Sequence, residues 1–92
     1  MIKLTLDTTL AKVAKVSLTS EEKTLVEVTG TSPLPAIEEA LKKAGLKLAE
    51  IDQFDSLPGP GSYTGVRIGA AVANTLNFAL GKKFELIEPI YQ

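Results

Sequence analysis

A glycine-rich turn between a strand-like run and a helix constrains the fold of this chain more than any other feature. The turn comprises Gly59, Pro60, Gly61, Ser62, Tyr63, Thr64 and Gly65, and Arg67 and Gly69 follow in the helix. Gly59 and Gly61 predict either backbone at positive φ or close approach of another group. Ser62 or Thr64 can cap the helix, whose first N–H groups attract anions. No lysine follows the last glycine, so this is not a Walker A loop, and a turn without a ligand is the simpler interpretation.

Three runs before this turn alternate apolar and polar side chains. They are Ile2 to Leu6, Ala14 to Leu18 and Thr24 to Thr29, and a polar turn from Ser20 to Lys23 separates the second run from the third. A period of two is typical of strands with one buried face, so the pattern predicts a three-stranded antiparallel meander. A fourth strand is predicted at Gln53 to Leu57, directly before the glycine turn.

Two helices and a last strand complete the predicted order βββαβαβ. Ser32 predicts an N-cap with Pro33 at the first helical position, and Gly45 predicts the C-cap. The apolar stripe expected on this first helix is Leu34, Ile37, Leu41 and Ala44. The second helix is predicted from about Ser62 to Leu80, and a fifth strand around Phe84, Leu86 and Ile87. The predicted fold is an α/β domain with a mixed five-stranded sheet and helices packed on it.

Composition excludes several classes of function. The 92 residues are expected to form a single domain, 1–92. The chain contains no histidine and no cysteine, which rules out a Ser-His-Asp triad, cysteine catalysis and the usual zinc or iron sites, so we predict no metal site. A net charge of −1 argues against tight, direct binding of tRNA. No apolar run approaches the ~18 residues of a membrane span, and the chain enters a strand pattern at once, so a cytoplasmic protein is expected.

The segment GPGSYTGVRIG, residues 59–69, resembles the signature of the TsaB (YeaZ) family. Leu4 to Thr9 is similar to that family's opening strand and Asp-Thr turn, and Ala44 to Leu46 with Ile51 and Asp52 is similar to its approach to the glycine loop. The resemblance implies one lobe of the actin-like ATPase superfamily, a ribonuclease-H-like sheet of order βββαβαβ, with the second lobe absent. It also implies an accessory subunit of the machinery that makes threonylcarbamoyladenosine in tRNA.

The resemblance implies partners rather than chemistry for this chain. In the family, paired helices of this lobe contact the catalytic paralogue and also a second copy of the protein. We therefore expect a non-catalytic dimerisation subunit, not an enzyme, which supports threonylcarbamoyl transfer to adenosine in the tRNA anticodon loop. No cofactor is expected, and ATP or ADP with magnesium would bind only at a partner subunit. The alternatives are a minimal nucleotide- or phosphate-binding domain that uses the glycine turn and Asp7 with magnesium, and a self-associating structural domain.

Two acidic positions need separate interpretation. By the resemblance, Asp7, Thr8 and Thr9 correspond to the first phosphate loop of the superfamily, in vestigial form. An Asx turn would use the same carboxylate and is the simpler alternative. Asp55 departs from the apolar strand of the family, and it has to reach a sheet end, a cap or a partner because a buried unpaired charge is costly.

The second helix carries the candidate partner interface. At ~100° per residue, the face predicted to cover the sheet holds Gly65, Gly69, Ala73, Leu76 and Leu80, with Ile68, Val72 and Ala79 beside it. The opposite arc holds Arg67, Ala70, Ala71, Asn74, Asn77 and Phe78. This arc has one charge, where a solvent-facing arc normally has several, so we predict that it contacts a partner. Arg67 can pair either with a carboxylate of this chain, such as Asp52 or Asp55, or with a partner.

Overall fold

Four strands form one sheet in the described part of the chain. The computed structural model describes residues 1–21, 23–57, 59, 61 and 63–82, with the backbone alone at 63 and 64. The strands are β1 (Ile2–Asp7), β2 (Ala14–Ser20), β3 (Lys23–Gly30) and β4 (Gln53–Ser56), in the spatial order β3-β2-β1-β4. The predicted antiparallel meander of β1, β2 and β3 is confirmed, and β4 lies parallel to β1. The fifth strand predicted at Phe84, Leu86 and Ile87 lies outside the described residues.

The register of the strands places their apolar side chains on the same face of the sheet. Leu4 lies opposite Leu18 on one side and Phe54 on the other, and Val16 lies opposite Val28. All five side chains are at most 3% exposed. They join buried residues of both helices in one hydrophobic core. The described residues therefore form two layers, a sheet and a pair of helices.

The opposite face of the sheet, called here the open face, is polar. Lys3 Nζ lies 3.2 Å from Asp55 Oδ2, and Lys15 Nζ lies 2.7 Å from Glu27 Oε1. The hydrogen bond to Glu27 raises the pKa of the Lys15 amine above its ordinary value. One buried and one polar face are typical of antiparallel strands with helices on one side. Asp55 thus has the charged partner that its place in a strand requires.

Helix α1 (Pro33–Ala44) has the predicted bounds and packs on β2 and β3. Gly45 adopts the left-handed conformation at φ 69° and ends the helix, as predicted. The buried face consists of Ala36, Ile37 and Ala40, whereas Leu34 is 59% exposed. The predicted stripe was wrong at Leu34, because the helix rests on the sheet through its alanines.

Helix α2 (Tyr63–Ala79) begins and ends within one residue of its predicted bounds, and it packs mainly on β4. Its buried face holds Val66, Gly69, Ala70, Ala73 and Asn77. The prediction that Ala70 and Asn77 belong to the partner interface was wrong, since they are 3% and 0% exposed. Ile68, which was expected beside the sheet, is 44% exposed. The helix is therefore rotated about its axis from the predicted orientation, so that Val66, Ala70 and Asn77 face the sheet.

A buried hydrogen-bonded side chain explains that rotation. Asn77 Oδ1 accepts from the Phe54 N–H at 2.9 Å, and Asn77 Nδ2 donates to the Phe54 carbonyl oxygen at 2.6 Å. A carboxamide whose donor and acceptor are both used can be buried at little cost. The polar residue that we expected to mark the outer side therefore lies on the inner side.

Candidate functional site at the glycine turn and helix α2

The Asp7–Thr9 loop follows β1 and is closed by its own side chains. Asp7 Oδ1 accepts from the Thr9 N–H at 3.0 Å and from Thr9 Oγ1 at 2.7 Å. This is an Asx turn, the structural alternative to a phosphate loop at this position. The oxygen Oδ1 of the Asp7 carboxylate is thereby engaged within the loop itself.

Thr8 ties this loop to the start of α2. Its hydroxyl donates to the Gly65 carbonyl oxygen at 2.6 Å, and the residue is 4% exposed. A Cβ at Gly69 would overlap Thr8 Oγ1 and would lie 2.6 Å from Ser56 Oγ. The Ser56 hydroxyl is buried and has no hydrogen-bond partner. Gly69 is therefore required because α2 packs so closely on Thr8 and on Ser56 of β4 that no side chain fits between them.

Gly59 and Gly61 are required for two different reasons. Gly59 has φ 114°, a conformation that side chains rarely allow. Gly61 is outside that region, but a Cβ there would lie 2.6 Å from the Thr9 carbonyl oxygen and 2.7 Å from Thr9 Cβ. For Gly61, close approach is the correct one of the two predicted reasons. Pro60 and Ser62 lie outside the described residues, as do the side chains of Tyr63 and Thr64, so the capping roles remain predictions.

The structure thus brings together two segments that the sequence analysis singled out separately. Thr8 contacts Gly65 and Gly69, and Thr9 contacts Gly61. A groove of about 390 Å³ opens beside them, and its lining residues include Leu10, Lys12, Val13, Thr31, Pro33 and Ile68. Lys12 is the one charged residue among the described residues that line this groove. Among the described residues, no three His, Cys, Asp or Glu side chains form a group that could hold a metal ion.

The side of α2 that points away from the sheet is apolar and is called here the α2 outer face. It consists of Ile68, Ala71, Thr75, Phe78 and Ala79, all of them exposed. Phe78 is 81% exposed, the highest value for any large apolar side chain in the described part of the chain. Of the predicted interface residues, Ala71 and Phe78 lie on this face, Arg67 is exposed next to it, and Asn74 is half-buried at its border.

Sequence reasoning missed three members of this face. Ile68 and Ala79 were expected beside the sheet, and Thr75 was not considered. Leu34 of α1 was expected to face the core, but it is exposed and lies near Ala71 and Thr75. A second groove of about 240 Å³ between the helices is lined by Leu34, Ala71, Val72, Thr75 and Leu76. The signal that could have identified Leu34 is its position between Pro33 and Pro35 in the first helical turn, before the helix meets the sheet.

The carboxylates considered for Arg67 have other partners. Asp55 pairs with Lys3, as described above, and Asp52 Oδ2 accepts from the Ile2 N–H at 2.7 Å. Both contacts attach β4, or the residue directly before it, to β1. No helix in the described part of the chain has the length and apolar character that crossing a membrane requires.

Comparisons with known proteins identify relatives of this chain in sequence and in fold. The family model described as TsaD, tRNA N6-adenosine threonylcarbamoyltransferase, matches residues 31–89. A transferase of that name from Ralstonia pickettii is 49% identical over 49 residues, which are 53% of this chain and 14% of the relative. The tRNA threonylcarbamoyladenosine biosynthesis protein TsaB of Haemophilus influenzae is 49% identical over 45 residues, which are 49% of this chain and 19% of the relative. YeaZ from Pseudomonas aeruginosa matches in structure with a TM-score of 0.75 and 32% identity, covering 88% of this chain and 40% of that one.

The fold and the site define an α/β domain of the YeaZ type, in which a glycine turn is packed against an Asp-Thr-Thr loop. The chain belongs to the TsaD family, because the family model covers more than half of it, and the resemblance of its signature to TsaB (YeaZ) is confirmed. The chain spans 14% to 19% of these two curated relatives and 40% of the YeaZ chain.

Proposed function

We propose that this chain is a non-catalytic assembly subunit in the biosynthesis of threonylcarbamoyladenosine in tRNA. In this role it binds a catalytic paralogue in the cytoplasm and supports the transfer of threonylcarbamoyl to adenosine in the anticodon loop. The observation that carries the proposal is the α2 outer face, whose largest side chain, Phe78, is 81% exposed.

The physical argument for a partner rests on what this face would cost in water. A phenylalanine side chain offers about 150–250 Å² of surface, so an exposed Phe78 leaves much of it hydrated. Ile68 and Leu34 add further exposed apolar surface on the same side of the molecule. The side chains of Ala71 and Thr75 are small and lie between Ile68 and Phe78 on the helix. They allow another helix to come close there. A contiguous apolar surface of this kind on a small domain is typical of a protein interaction site.

The names of the relatives support the pathway. One group is named for the transferase and the other for threonylcarbamoyladenosine biosynthesis. Among the described residues, no group of three or more His, Cys, Asp or Glu side chains could hold a metal ion, and Asp7 Oδ1 accepts hydrogen bonds from Thr9. We therefore expect no intrinsic transfer or ATP hydrolysis, and no rise in melting temperature when ATP and magnesium are added. A rise would favour the nucleotide-binding alternative.

The test compares two outer-face variants with a matched control. Phe78→Asp and Ile68→Asp place a carboxylate in the proposed interface, where its desolvation without a partner costs several kcal/mol. Leu25→Asp is the control, because Leu25 is an exposed apolar residue on β3, far from α2. All three variants are expected to melt within a few degrees of the parent, since charges on a monomer surface cost about ±0.5 kcal/mol.

The decisive measurement is co-purification with a TsaD-family transferase from the same organism. We expect the control to bind like the parent and both outer-face variants to lose binding. Normal binding by Phe78→Asp and Ile68→Asp would exclude this face as the interface. Ala70 is unsuitable for such a test, because its side chain is buried against the sheet.

A further inference from the structure

The side of α2 that is fully buried is not the side with its largest apolar residues. Val66 is the largest apolar side chain among the fully buried ones, which are otherwise Gly69, Ala70, Ala73 and the polar Asn77. Val72, Leu76 and Leu80 are only partly buried against the core, and Ile68 is 44% exposed. Burial of apolar surface therefore favours a rotation of the helix that brings Leu76 and Ile68 nearer to the sheet.

Hydrogen bonds near both ends of α2 oppose that rotation. Near its start, the Thr8 hydroxyl donates to the Gly65 carbonyl oxygen at 2.6 Å. Near its end, the Asn77 carboxamide bonds to both main-chain groups of Phe54, at 2.9 and 2.6 Å, and both bonds are buried. Thr8 directly follows β1, and Phe54 belongs to β4. The helix is thus attached to two adjacent strands by polar contacts.

The carboxamide of Asn77 is the stronger of these two constraints. Hydrogen bonds weaken steeply as their angle departs from linear, so a modest turn of the helix would break both bonds. The N–H and carbonyl groups of Phe54 would then lose their partner in a buried environment, which is costly. A single buried asparagine selects one packing arrangement among several in coiled coils by the same means.

We propose that Asn77, supported by Thr8, is a positioning residue that fixes the rotation of α2 about its axis. The two contacts hold Ile68 on the α2 outer face, although burial of apolar surface favours turning it toward the sheet. The Asp7–Thr9 loop thereby orients a surface helix through Thr8. The rotation itself requires no partner, and only the use of Ile68 in binding rests on the proposed function.

Thiol labelling of single-cysteine variants measures the rotation, because the chain has no cysteine of its own. Ile68→Cys places the thiol where the rotation would bury it. Ala71→Cys is the reference, since at ~100° per residue this position stays on the outer side in both orientations. Adding Asn77→Ala should slow labelling at position 68 about threefold or more and leave position 71 near its original rate. Adding Thr8→Val should slow position 68 by a smaller factor.

The matched control is Val66→Ala, because Val66 is as fully buried on α2 as Asn77 but is apolar. Loss of packing alone loosens the helix, so labelling at position 68 should be unchanged or faster in the control. The same result in Asn77→Ala would overturn the proposal, and so would equal slowing at positions 68 and 71.

A second variant serves if Asn77→Ala loses its circular dichroism signal. Thr8→Val keeps the branched shape of the side chain and removes only the hydroxyl donor, so this variant is expected to fold. Unchanged labelling at position 68 in Thr8→Val would then overturn the proposal. None of these rates involves the transferase, so a failure of the proposed function would leave them as expected.

Discussion

Replacement of Gly69 by alanine tests the close packing of α2 against the sheet. In an exposed helix this change stabilises by about 1 kcal/mol, because alanine has the higher helix propensity. At Gly69 the new Cβ would overlap Thr8 Oγ1 and lie 2.6 Å from Ser56 Oγ, whereas ordinary contacts are 3.4–4 Å. The helix then has to move outward by about 1 Å, or Thr8 has to rotate and lose its bond to Gly65.

The magnitude follows from those two responses. Overpacking in a core costs about 1–3 kcal/mol, and a lost hydrogen bond adds about 1 kcal/mol. After the gain in helix propensity, we expect Gly69→Ala to destabilise by about 1–3 kcal/mol, or roughly 4–8 °C in melting temperature for each kcal/mol. Urea unfolding followed by circular dichroism measures this free energy directly.

A second variant identifies the source of the cost. Thr8→Ala removes the oxygen that the new Cβ overlaps, so the double variant should be more stable than the sum of the single effects predicts, by about 0.5–3 kcal/mol. A Gly69→Ala protein that is more stable than the parent would show that α2 is not held this close to the sheet. Strictly additive effects would show that Thr8 is not the residue in contact.

Three smaller effects can be measured in the same way. Ser56→Ala removes a buried hydroxyl without a partner, so thermal melting should show no loss of stability and a gain of up to about 1 kcal/mol. Lys12→Gly should raise the free energy of unfolding, measured by urea denaturation, by about 1 kcal/mol, because Lys12 adopts φ 60°. Glu27 raises the pKa of Lys15 in the folded state. The ion pair of these two residues therefore contributes fully to the free energy of unfolding below about pH 10.4, and its contribution is lost at higher pH. The stability difference between the parent and Glu27→Gln should therefore be constant from pH 7 to 9 and shrink at more alkaline pH.

The meander and the helix bounds could be predicted because they depend on local signals. Alternation along β1 identifies both the strand and its buried face, and Gly45 ends α1 by a conformation that few other residues adopt. The glycine turn was also identified correctly as a place of close approach. Its partner, the Asp7–Thr9 loop, could not be derived from local pattern, because that contact joins residues far apart in the sequence.

The orientation of α2 could not be predicted for a related reason. The helix has few charges, so its hydrophobic pattern did not distinguish the two sides. Asn77 was placed outside because it lies opposite the apolar residues at ~100° per residue, but its carboxamide is buried against Phe54. Such a contact reverses the usual relation between polarity and exposure, and only the position of β4 reveals it.

The parallel pairing of β1 with β4 has a consequence for the order of folding. The Ile2 N–H bonds to Asp52 across 50 residues of sequence, whereas the meander and α1 need only neighbouring segments. Because closing a long loop costs entropy before any contact forms, we expect β4 and α2 to dock last. The α2 outer face then exists in its final orientation only on a molecule whose first strand is already in place. A partner that recognises this face would therefore select completely folded copies of the chain.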